Sequence, residues 1–398
     1  MEQVVVVGAG LAGLRACEGL RARGYVGAIT LLGEEEHAPY DRPPLSKQFL
    51  AGTLGADRLS LRRDEQLAAL DLDLRLGSSS RATSLDAAGR RVELASGEWL
   101  AFDGLVVATG SRARVLPGLE ALPTVHVLRT LDDSVALRTG LGPGRRLLVV
   151  GGGFVGMEVA ATARGLGAEV TVVEPLETPL ERVLGRLAGG ACARLHAEHG
   201  VRLETGTTIE EAVAEPDGST TAVLGRGEAV SADVVLVAVG AAPNVSWLEG
   251  SGLEVGPSGV ACDARLQVAP GIVAAGDVAR FPFGPAGSPA RIEHRTNAAE
   301  QGDHAAGTLL GGTEPFAPVP YVWSDQYDVK IQLLGLPEPD DVCEVVDGSL
   351  RDGRFVAAYG RDGRLTAAVA FEMPRSLMRL RSMLATPTPY EEARRAFA

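Results

Sequence analysis

Val4-Val5-Val6-Val7-Gly8-Ala9-Gly10-Leu11-Ala12-Gly13 places a short apolar run directly before three glycines in the pattern G-x-G-x-x-G. The apolar run predicts a buried strand, and the glycines predict a tight turn into a helix. Glycine lets the backbone approach a pyrophosphate closely, and the free N–H groups at the start of the helix bind it. Glu34 follows the next apolar run, where a carboxylate suits a ribose diol. This stretch therefore predicts a dinucleotide site.

A second copy of the same pattern lies roughly 140 residues further along the chain. The apolar run 147–150 precedes Gly151, Gly153 and Gly156, and Glu174 follows the next apolar run. One such motif is weak evidence. Two motifs, each in the complete order strand, turn, helix, strand and acid, imply that one chain binds two dinucleotides. The usual reason to hold two is to pass electrons between them, as from a nicotinamide to a flavin.

Composition excludes several classes of protein. The chain has 398 residues, which predicts two or three domains, and its formal net charge of −13 argues against nucleic acid as a partner. No apolar run approaches the roughly 20 residues of a membrane span, and the first strand begins too early for a signal peptide, so the expected location is the cytoplasm. The cysteines form no C-x-x-C pair, which argues against a disulfide framework, a dithiol redox centre and a metal site. They are Cys17, Cys192, Cys262 and Cys343.

A later apolar strand follows each glycine motif, and both strands end in glycine. The first ends in Ala108-Thr109-Gly110 and the second in Gly240, which indicates an internal duplication. A third strand ends in Gly276-Asp277 and lies beyond the second motif. We interpret it as the chain returning to the first domain, which makes that domain discontinuous.

Proline- and glycine-rich segments mark the remaining boundaries. The loop 39–47 is too rich in proline for a strand or helix until Ser46 can cap one. Residues 297–310 predict a helix, and 311–320 predict a linker. After the linker, Asp-Gly pairs predict turns between short strands of an antiparallel sheet, and the arginine-rich end from Pro374 predicts a helix. The pairs are Asp347-Gly348, Asp352-Gly353 and Asp362-Gly363.

Several of these segments together resemble the NADH-dependent ferredoxin reductases that serve oxygenase systems. The glycine motifs and the strand ends at Ala108-Thr109-Gly110 and Gly276-Asp277 are shared widely among flavoproteins that bind two dinucleotides. The loop Pro39-Tyr40-Asp41-Arg42-Pro43-Pro44-Leu45-Ser46-Lys47 and the segment Trp323-Ser324-Asp325-Gln326-Tyr327 are specific to this branch. The resemblance covers essentially the whole chain.

The resemblance implies an α/β protein with two Rossmann-like dinucleotide-binding domains in a glutathione-reductase-like architecture, followed by a C-terminal α+β domain. A discontinuous FAD-binding domain would comprise residues 1–111 and 241–315, an NAD-binding domain 112–240, and the C-terminal domain 316–398. The implied partner is a [2Fe–2S] ferredoxin, bound transiently by electrostatics, and the protein would be a monomer or a weak homodimer.

The resemblance also implies two cofactors, FAD and NADH, and no metal. The FAD site would comprise Gly8, Gly10, Leu11, Ala12, Gly13, Glu34, Arg42, Lys47, Arg81, Ala108, Thr109, Gly110, Arg129, Gly276, Asp277, Arg295 and Trp323. The NADH site would comprise Gly151, Gly153, Phe154, Val155, Gly156, Glu158, Glu174, Arg182 and Gly240. We expect NADH to be preferred to NADPH, because a 2′-phosphate would face the carboxylate of Glu174.

Three residues are implied in catalysis. Similar enzymes place the lysine that corresponds to Lys47 near flavin N5, where an ammonium stabilises the charge of the reduced flavin. A buried charge needs a partner, and Glu158 on the helix of the second motif is the expected one, the alternative being that Glu158 is a carboxylate on the helix surface. Trp323 would lie against the flavin and carry or gate electron exit. NADH would pass a hydride to N5, and two one-electron steps would follow, with protein groups supplying positioning and electrostatics.

Other residues carry competing interpretations. Glu293-His294-Arg295 departs from relatives, which often have Trp after this His, and we interpret His294 as a structural hydrogen-bonding residue rather than a proton carrier. Lys330, one of only two lysines, is interpreted as an exposed strand position. A basic cluster near the C-terminus could steer an acidic ferredoxin or could be a solvated helix face. It consists of Arg375, Arg379 and Arg381.

Two other functions stay open at this point. The same fold could serve an NADH oxidase or a reductase for rubredoxin or a nitrite-reducing system. A redox-sensing interaction protein like apoptosis-inducing factor is the alternative from outside the enzymes. The sequence names neither the partner ferredoxin nor the oxygenase substrate.

Overall fold

A computed structural model of the chain describes residues 1–284 and 287–397. Residues 285, 286 and 398 fall within the expected FAD-binding and C-terminal domains and lie outside the described residues. None of the helices in the described part is both long and apolar enough to cross a bilayer. The helices are α1 (Leu11–Ala22), α2 (Asp64–Ala68), α3 (Leu131–Thr139), α4 (Phe154–Gly165), α5 (Glu181–Glu198, interrupted at Gly185), α6 (Arg295–Leu309), α7 (Pro374–Leu384) and α8 (Tyr390–Arg395).

The strands are short, and most lie in the sheets described below. Up to residue 150 they are β1 (Gln3–Val7), β2 (Ala28–Leu32), β3 (Asp73–Arg75), β4 (Ala82–Asp86), β5 (Arg91–Leu94), β6 (Trp99–Ala101), β7 (Gly104–Val107), β8 (Ser111–Ala113), β9 (Val125–His126) and β10 (Arg146–Val150). Up to residue 262 they are β11 (Glu169–Glu174), β12 (Arg202–Thr205), β13 (Ile209–Ala214), β14 (Thr220–Leu224), β15 (Ala229–Ala232), β16 (Val234–Val237), β17 (Ala241–Pro243), β18 (Val255–Gly256) and β19 (Gly259–Ala261). The remaining strands are β20 (Gln267–Ala269), β21 (Ile272–Ala274), β22 (Ala279–Phe283), β23 (Ser288–Ala290), β24 (Tyr321–Gln326), β25 (Val329–Gly335), β26 (Val342–Ser349), β27 (Arg354–Arg361) and β28 (Arg364–Phe371).

The chain forms two compact units, and each is assembled from three separate segments. The first unit comprises Met1–Asp41, Ala56–Arg112 and Ala241–Pro318. The second comprises Arg42–Gly55, Ala113–Gly240 and Val319–Ala398. The loop that carries Lys47 therefore belongs to the same unit as the second glycine motif.

The first unit is built on a sheet of order β20-β21-β7-β1-β2-β3. β1 lies between β2 and β7 and is parallel to both, which buries its valine side chains almost completely. Burial on both faces explains why this strand is uniformly apolar. β21 is parallel to β7, so the chain does return to the first sheet at the strand before Gly276, as predicted.

The second unit repeats this arrangement around a sheet of order β12-β11-β10-β16-β9. β10 lies between β11 and β16, as β1 lies between β2 and β7, and all of these pairs are parallel. In each unit an antiparallel three-stranded meander comes just before one neighbour of the central strand. The meander β4-β5-β6 precedes β7, and the meander β13-β14-β15 precedes β16. The shared order supports the predicted duplication at the level of topology. From the sequence, residues 92–94 and 97–102 predict part of the first meander, and no strand of the second meander is predicted.

The proline-rich loop differs from its prediction. Pro43–Ser46 is a turn of 3₁₀ helix that begins with proline, and Ser46 is its last residue, so Ser46 does not cap a following helix. Proline is tolerated here because its missing N–H would have no partner in the first turn of a helix. Two side chains of the same unit hold the turn by its carbonyl groups. Ser134 Oγ donates to Leu45 O at 2.7 Å, and Thr162 Oγ1 donates to Ser46 O at 2.8 Å.

The C-terminal part of the second unit is an antiparallel sheet of order β24-β25-β28-β27-β26. The predicted turns at Asp352-Gly353 and Asp362-Gly363 join β26 to β27 and β27 to β28. The turn predicted at Asp347-Gly348 is wrong, because both residues lie within β26 after a bulge at residue 346. Gly348 has φ +76°, so a local distortion of the strand uses this glycine rather than a chain reversal.

The predicted C-terminal helix is two helices, α7 and α8, and the basic cluster on α7 is split. Leu377 and Leu380 face the core, while Arg375 and Arg379 are exposed four residues apart on one face. At about 100° per residue, Arg381 points about 160° away from Arg379 and is half-buried. Only two of the three arginines therefore share a surface.

Candidate functional site

In the first glycine motif, the first and third glycines are required by packing. Gly8 has φ +119°, and a Cβ there would overlap the carbonyl oxygen of Ala108. A Cβ on Gly13 would overlap the carbonyl oxygen of Gly8. Gly10 is different, because among the described residues no atom lies within 4 Å of a Cβ built on it. Its backbone thus borders open space that a side chain would fill.

The second motif repeats this division. Gly151 has φ +105° and packs against the carbonyl of Ala238, and Gly156 packs against the carbonyl of Gly151. A Cβ on Gly153 would meet only Ala238 O, at 4.0 Å. In both units the middle glycine therefore leaves room for a group that must approach the backbone.

Both motifs place the start of a helix at that space. α1 begins at Leu11 after Gly10, and α4 begins at Phe154 after Gly153, and neither glycine has a side chain to cap the helix. The first N–H groups of a helix have no partner inside it and carry the positive end of its dipole. Each site can therefore bind an anion such as a pyrophosphate. Ala12 and Val155 lie in the first turns of these two helices.

The two acidic residues have different surroundings. Glu34 is exposed, and its carboxylate lies 3.6 Å from the guanidinium of Arg81, in a pair half open to solvent. Glu174 is buried at the end of β11, and its two oxygens accept from Gly152 N–H at 2.7 Å and Leu176 N–H at 3.0 Å. Glu174 is thus fixed against its own glycine turn, with lone pairs left to accept from a hydroxyl.

The strand ends of the first unit meet around Asp277. Ser111 Oγ donates to Asp277 Oδ2 at 3.1 Å, and the N–H of Gly276 donates to Gln301 Oε1 at 2.7 Å. Thr109 exchanges two hydrogen bonds with Asn244, through Oγ1 to Asn244 O at 2.8 Å and from Asn244 Nδ2 at 3.0 Å. Thr109 follows β7, and Gly276 and Asp277 follow its parallel neighbour β21, so the three residues lie at one edge of the sheet and form a rim there. The sequence interpretation missed Gln301 and did not assign Asn244 to the site, although Asn244 follows the strand that ends at Gly240.

Lys47 and Glu158 form an ion pair in the second unit. Lys47 Nζ lies 2.8 Å from Glu158 Oε2, and the two side chains are only 10% and 7% exposed. The predicted partner of Lys47 is therefore the observed one, and the alternative of a helix-surface carboxylate is excluded. An ion pair this well buried is costly to break, about 3–5 kcal/mol when one partner is removed.

Two serines complete the surroundings of Glu158. Ser46 Oγ donates to Glu158 Oε2 and lies 3.3 Å from Lys47 Nζ. Ser324 Oγ donates to Glu158 Oε1 at 2.7 Å. Sequence reasoning placed neither serine in the site. The available signal was that Ser46 is adjacent to Lys47 and Ser324 to Trp323, both in the segments that carry the family resemblance.

The other predicted arginines are distributed over both units. Arg42 Nη1 donates to the carbonyl of Arg129 at 2.6 Å, so these two lie together in the second unit. Arg295 begins α6 in the first unit, where its Nε lies 2.6 Å from Asp41 Oδ1. Arg182 is exposed on α5.

The remaining predicted residues lie at strand ends or in the C-terminal sheet. Trp323 is half-buried on β24 and stacks on Tyr321 with ring centroids 6.0 Å apart. Lys330 is 46% exposed and pairs with Asp325 at 2.5 Å, in agreement with its interpretation as a surface position. Gly110 and Gly240 each follow a central strand, β7 and β16, with positive φ values of +63° and +95°.

His294 differs from its prediction as a hydrogen-bonding residue. Its Nδ1 is buried with no hydrogen-bond partner within residues 1–284 and 287–397. Burial lowers the pKa of His294 to about 4, so the ring is neutral at physiological pH. A neutral ring agrees with the expectation that His294 is not a proton carrier.

None of the four thiols is suited to nucleophilic chemistry. Burial raises the pKa of Cys17, Cys192 and Cys262 to about 12 and that of Cys343 to about 11. The thiolate is the reactive form, and it is scarcely populated at neutral pH at these values. Within the described ranges, no group of three or more His, Cys, Asp or Glu side chains is placed to hold a metal ion.

Comparison with known protein families agrees with this geometry. A model described as pyridine nucleotide-disulphide oxidoreductase matches residues 2–302, and a model described as reductase C-terminal matches residues 321–396. The chain belongs to the pyridine nucleotide-disulphide oxidoreductase family. Members of this family that are ferredoxin–NAD(+) reductases use FAD and NADH. The family assignment confirms the α/β architecture, the enzyme class and the two predicted cofactors.

Known relatives match this chain along nearly its whole length. The anthranilate 1,2-dioxygenase system ferredoxin–NAD(+) reductase component of Burkholderia cepacia is 40% identical over 396 residues, which is 98% of this chain and 96% of the relative. The ferredoxin reductase of the CYP199A2 system from Rhodopseudomonas palustris is 34% identical, with a TM-score of 0.93 over 100% of both chains. The covalent putidaredoxin reductase–putidaredoxin complex contains a chain that is also 34% identical, with a TM-score of 0.92 over 98% of this chain and 94% of that one.

The two glycine motifs fit the cofactors of the family. At Gly10 and Gly153 the backbone borders space that a Cβ would occupy, directly at a helix N-terminus. A pyrophosphate requires both properties, because its oxygens must come within hydrogen-bond distance of backbone N–H groups. A buried Glu174 suits an unphosphorylated ribose in the second unit.

Proposed function

We propose that this protein is a reductase that takes electrons from NADH, passes them through FAD, and delivers them to a [2Fe–2S] ferredoxin of an oxygenase system. The observation that carries the proposal is the match of the whole chain, including residues 321–396, to ferredoxin reductases of such systems. The raised thiol pKa values favour it over disulfide chemistry on the same fold. An NADH oxidase and a redox-sensing interaction protein are the competing functions.

The residue assignments follow from the two motifs. For FAD we propose the glycine turn and first helical turn of the first unit, the rim around Asp277, and the cationic and aromatic side chains predicted from the family. These are Gly8, Gly10, Leu11, Ala12, Gly13, Glu34, Arg42, Lys47, Arg81, Ala108, Thr109, Gly110, Arg129, Gly276, Asp277, Arg295 and Trp323. For NADH we propose Gly151, Gly153, Phe154, Val155, Gly156, Glu158, Glu174, Arg182 and Gly240.

Bound FAD supplies the conversion between a two-electron donor and a one-electron acceptor. The protein's own groups bind and orient. Lys47 would offer its ammonium to the flavin, and Glu158 holds that ammonium in place at 2.8 Å. The helix N-termini at Leu11 and Phe154 would neutralise the pyrophosphates, and Asp277 would accept from a sugar hydroxyl. No side chain has to act as a nucleophile, and none of the thiols is ionised to do so.

Four broader assignments belong to the same proposal. The FAD-binding segments would be 1–111 and 241–315, the NAD-binding segment 112–240, and the C-terminal domain 316–398. The enzyme would act in the cytoplasm as a monomer or weak homodimer. Its contact with ferredoxin would be transient and electrostatic.

The test is the reduction of cytochrome c by NADH, with and without an added [2Fe–2S] ferredoxin. Putidaredoxin and the ferredoxins of bacterial dioxygenase systems are suitable probes. We expect slow reduction without ferredoxin and a rate that rises and saturates with ferredoxin concentration. A rate that is equally fast without any of these ferredoxins would instead indicate an oxidase or a non-specific reductase.

A further inference from the structure

Behind the Lys47–Glu158 pair lies a run of buried polar side chains that the proposed mechanism does not use. Ser324 and Gln326 are two residues apart on β24, so they point to the same face of the strand, and both are fully buried. Gln326 Nε2 donates to Ser324 Oγ at 3.1 Å. Ser324 Oγ in turn donates to Glu158 Oε1 at 2.7 Å. Burying a polar side chain costs free energy unless it is hydrogen-bonded, so a run of several such side chains calls for an explanation.

The run continues into α5 through His196, which is also fully buried. His196 Nε2 lies 2.9 Å from Gln326 Oε1, and the hydroxyl of Tyr327 lies 3.2 Å from His196 Nδ1. The Cys192 thiol donates to the same Gln326 oxygen at 3.3 Å. The Tyr327 ring stacks on the exposed ring of His199 with centroids 3.6 Å apart, so the run ends at the surface of the unit.

The direction of every hydrogen bond in this run follows from its inner end. A carboxylate only accepts, so the single proton of the Ser324 hydroxyl goes to Glu158. Ser324 Oγ must then accept from the Gln326 amide nitrogen, which turns the Gln326 oxygen towards His196. That oxygen accepts only, so His196 carries its proton on Nε2, and its Nδ1 accepts from the Tyr327 hydroxyl. All donors therefore point towards Glu158.

This arrangement orients groups and does not conduct protons. A primary amide neither takes up nor releases a proton readily near neutral pH, so Gln326 interrupts any relay. Burial lowers the pKa of His196 to about 4, which keeps its ring neutral and preserves the tautomer derived above. Aligned hydrogen bonds in a buried region reinforce one another. Their combined effect is to hold the Glu158 carboxylate in one orientation.

We propose that Ser324, Gln326 and His196 are positioning residues that fix Glu158 and, through it, the ammonium of Lys47. The inference rests on the proposed role of Lys47 in electron transfer. It gives the buried face of β24 and α5 a function in the chemistry, although Ser324, Gln326 and His196 would not need to touch the flavin. Loss of any link would leave the Lys47 ammonium less firmly held while its charge remained.

The chain offers an unusually clean test, because Lys47 and Lys330 are its only lysines. Protein labelled with ¹³C,¹⁵N-lysine, in the FAD-loaded form, should give two side-chain ammonium signals in an NMR spectrum. Lys330→Arg assigns them, since Lys330 is exposed. We expect the Lys47 ammonium to exchange its protons slowly, because its side chain is 10% exposed and hydrogen-bonded.

The test compares Ser324→Ala and Gln326→Met with Ser324→Thr as the conservative control. We expect proton exchange at Lys47 to rise about tenfold or more in the first two, the scale for losing a hydrogen bond to a charged group. Ser324→Thr should retain the parent rate, and Lys330 should be unchanged in all three. Gln326→Met keeps the volume of the side chain, so it remains informative if Ser324→Ala folds poorly.

Exchange at Lys47 within twofold of the parent in Gln326→Met would overturn the assignment of Gln326 and His196. The same result in a folded Ser324→Ala would overturn the whole proposal. The measurement needs no electron acceptor. A failure of the ferredoxin assay therefore leaves this test intact, and a failure here does not bear on the choice of acceptor.

Discussion

At the scale of single residues, Lys47 is the side chain whose charge would act directly on the flavin. Its ammonium is nearly buried and is held by Glu158. Burying an ion pair costs desolvation free energy, and a loop with only a structural role would not need one. Lys47→Met removes the charge and keeps most of the side-chain volume. We expect NADH to reduce the bound flavin on the order of 10²-fold more slowly, the scale for removing one preorganised electrostatic contact.

Stopped-flow measurement of the loss of flavin absorbance checks this prediction. Lys330→Met is the matched control, because it removes the other lysine from an exposed position. The control should reduce at the parent rate. A Lys47→Met rate within a factor of two of the parent, with an unchanged flavin potential, would show that Lys47 does not act on the flavin.

Glu174 is the residue expected to choose between NADH and NADPH. Its oxygens are tied to Gly152 and Leu176, so replacement by alanine would also loosen the turn. Glu174→Gln removes the charge and keeps one accepting oxygen. We expect the ratio of kcat/KM for NADH to that for NADPH to fall, since a 2′-phosphate would no longer meet a carboxylate. Glu169→Gln, at the exposed start of the same strand, should leave the ratio unchanged; an equal effect in both variants would contradict this role.

At the scale of elements, different glycines of the same turn serve folding and cofactor binding. A Cβ on Gly13 would overlap Gly8 O, so Gly13→Ala should lower the thermal stability of the protein. Gly10 has an extended backbone that alanine adopts freely, and it faces open space. Gly10→Ala should therefore fold and yet bind FAD poorly. The measurements are the FAD content per chain and the Tm of each variant stripped of cofactor; normal FAD content in Gly10→Ala would refute the proposed position of the pyrophosphate.

The same elements show how far the sequence alone could predict the fold. Both glycine motifs, the central parallel strands and the return of the chain at Gly276 were predictable, because their apolar runs and glycines serve local requirements. The strands of the second meander were not predicted, since β13 is largely exposed and shows no strict alternation of apolar and polar residues. Two local predictions were wrong. Ser46 does not cap a helix, because tertiary contacts hold Pro43–Ser46 as a separate turn, and Asp347-Gly348 is not a turn, because a bulge keeps both residues within a strand.

The candidate site, like the fold, could be predicted only in part. The Lys47–Glu158 pair could be proposed because a buried charge demands a partner. Ser324, Gln326 and His196 could not, because they are common polar residue types and His196 lies 130 residues before Gln326 in the chain. Only the fold shows that they join into one hydrogen-bonded run.

At the scale of the whole molecule, charge should govern the encounter with ferredoxin. The net charge of −13 repels an acidic partner, but at physiological ionic strength charges are screened beyond about 8 Å. Docking then depends on a local basic face, and Arg375 and Arg379 on α7 form one candidate. We expect Arg375→Glu with Arg379→Glu to raise the KM for ferredoxin several-fold and the ferredoxin-coupled rate of the parent to fall with salt.

Direct reduction of ferricyanide should be unaffected by these substitutions, because so small an acceptor needs no docking face. Arg58→Glu, an exposed arginine of the first unit, is a control for the change in total charge. If ferredoxin turnover is indifferent to salt and to both reversals on α7, the acceptor binds elsewhere.

The central claim is that electrons from NADH leave the bound flavin one at a time to a ferredoxin. Anaerobic mixing in two stages tests it most directly: NADH is added until the flavin absorbance is lost, and an oxidised [2Fe–2S] ferredoxin is then added. We predict that the flavin absorbance returns without oxygen, with about two ferredoxins reduced per flavin, because a hydride carries two electrons and the cluster accepts one. A flavin that stays reduced with every such ferredoxin and recovers only when oxygen is admitted would contradict the account.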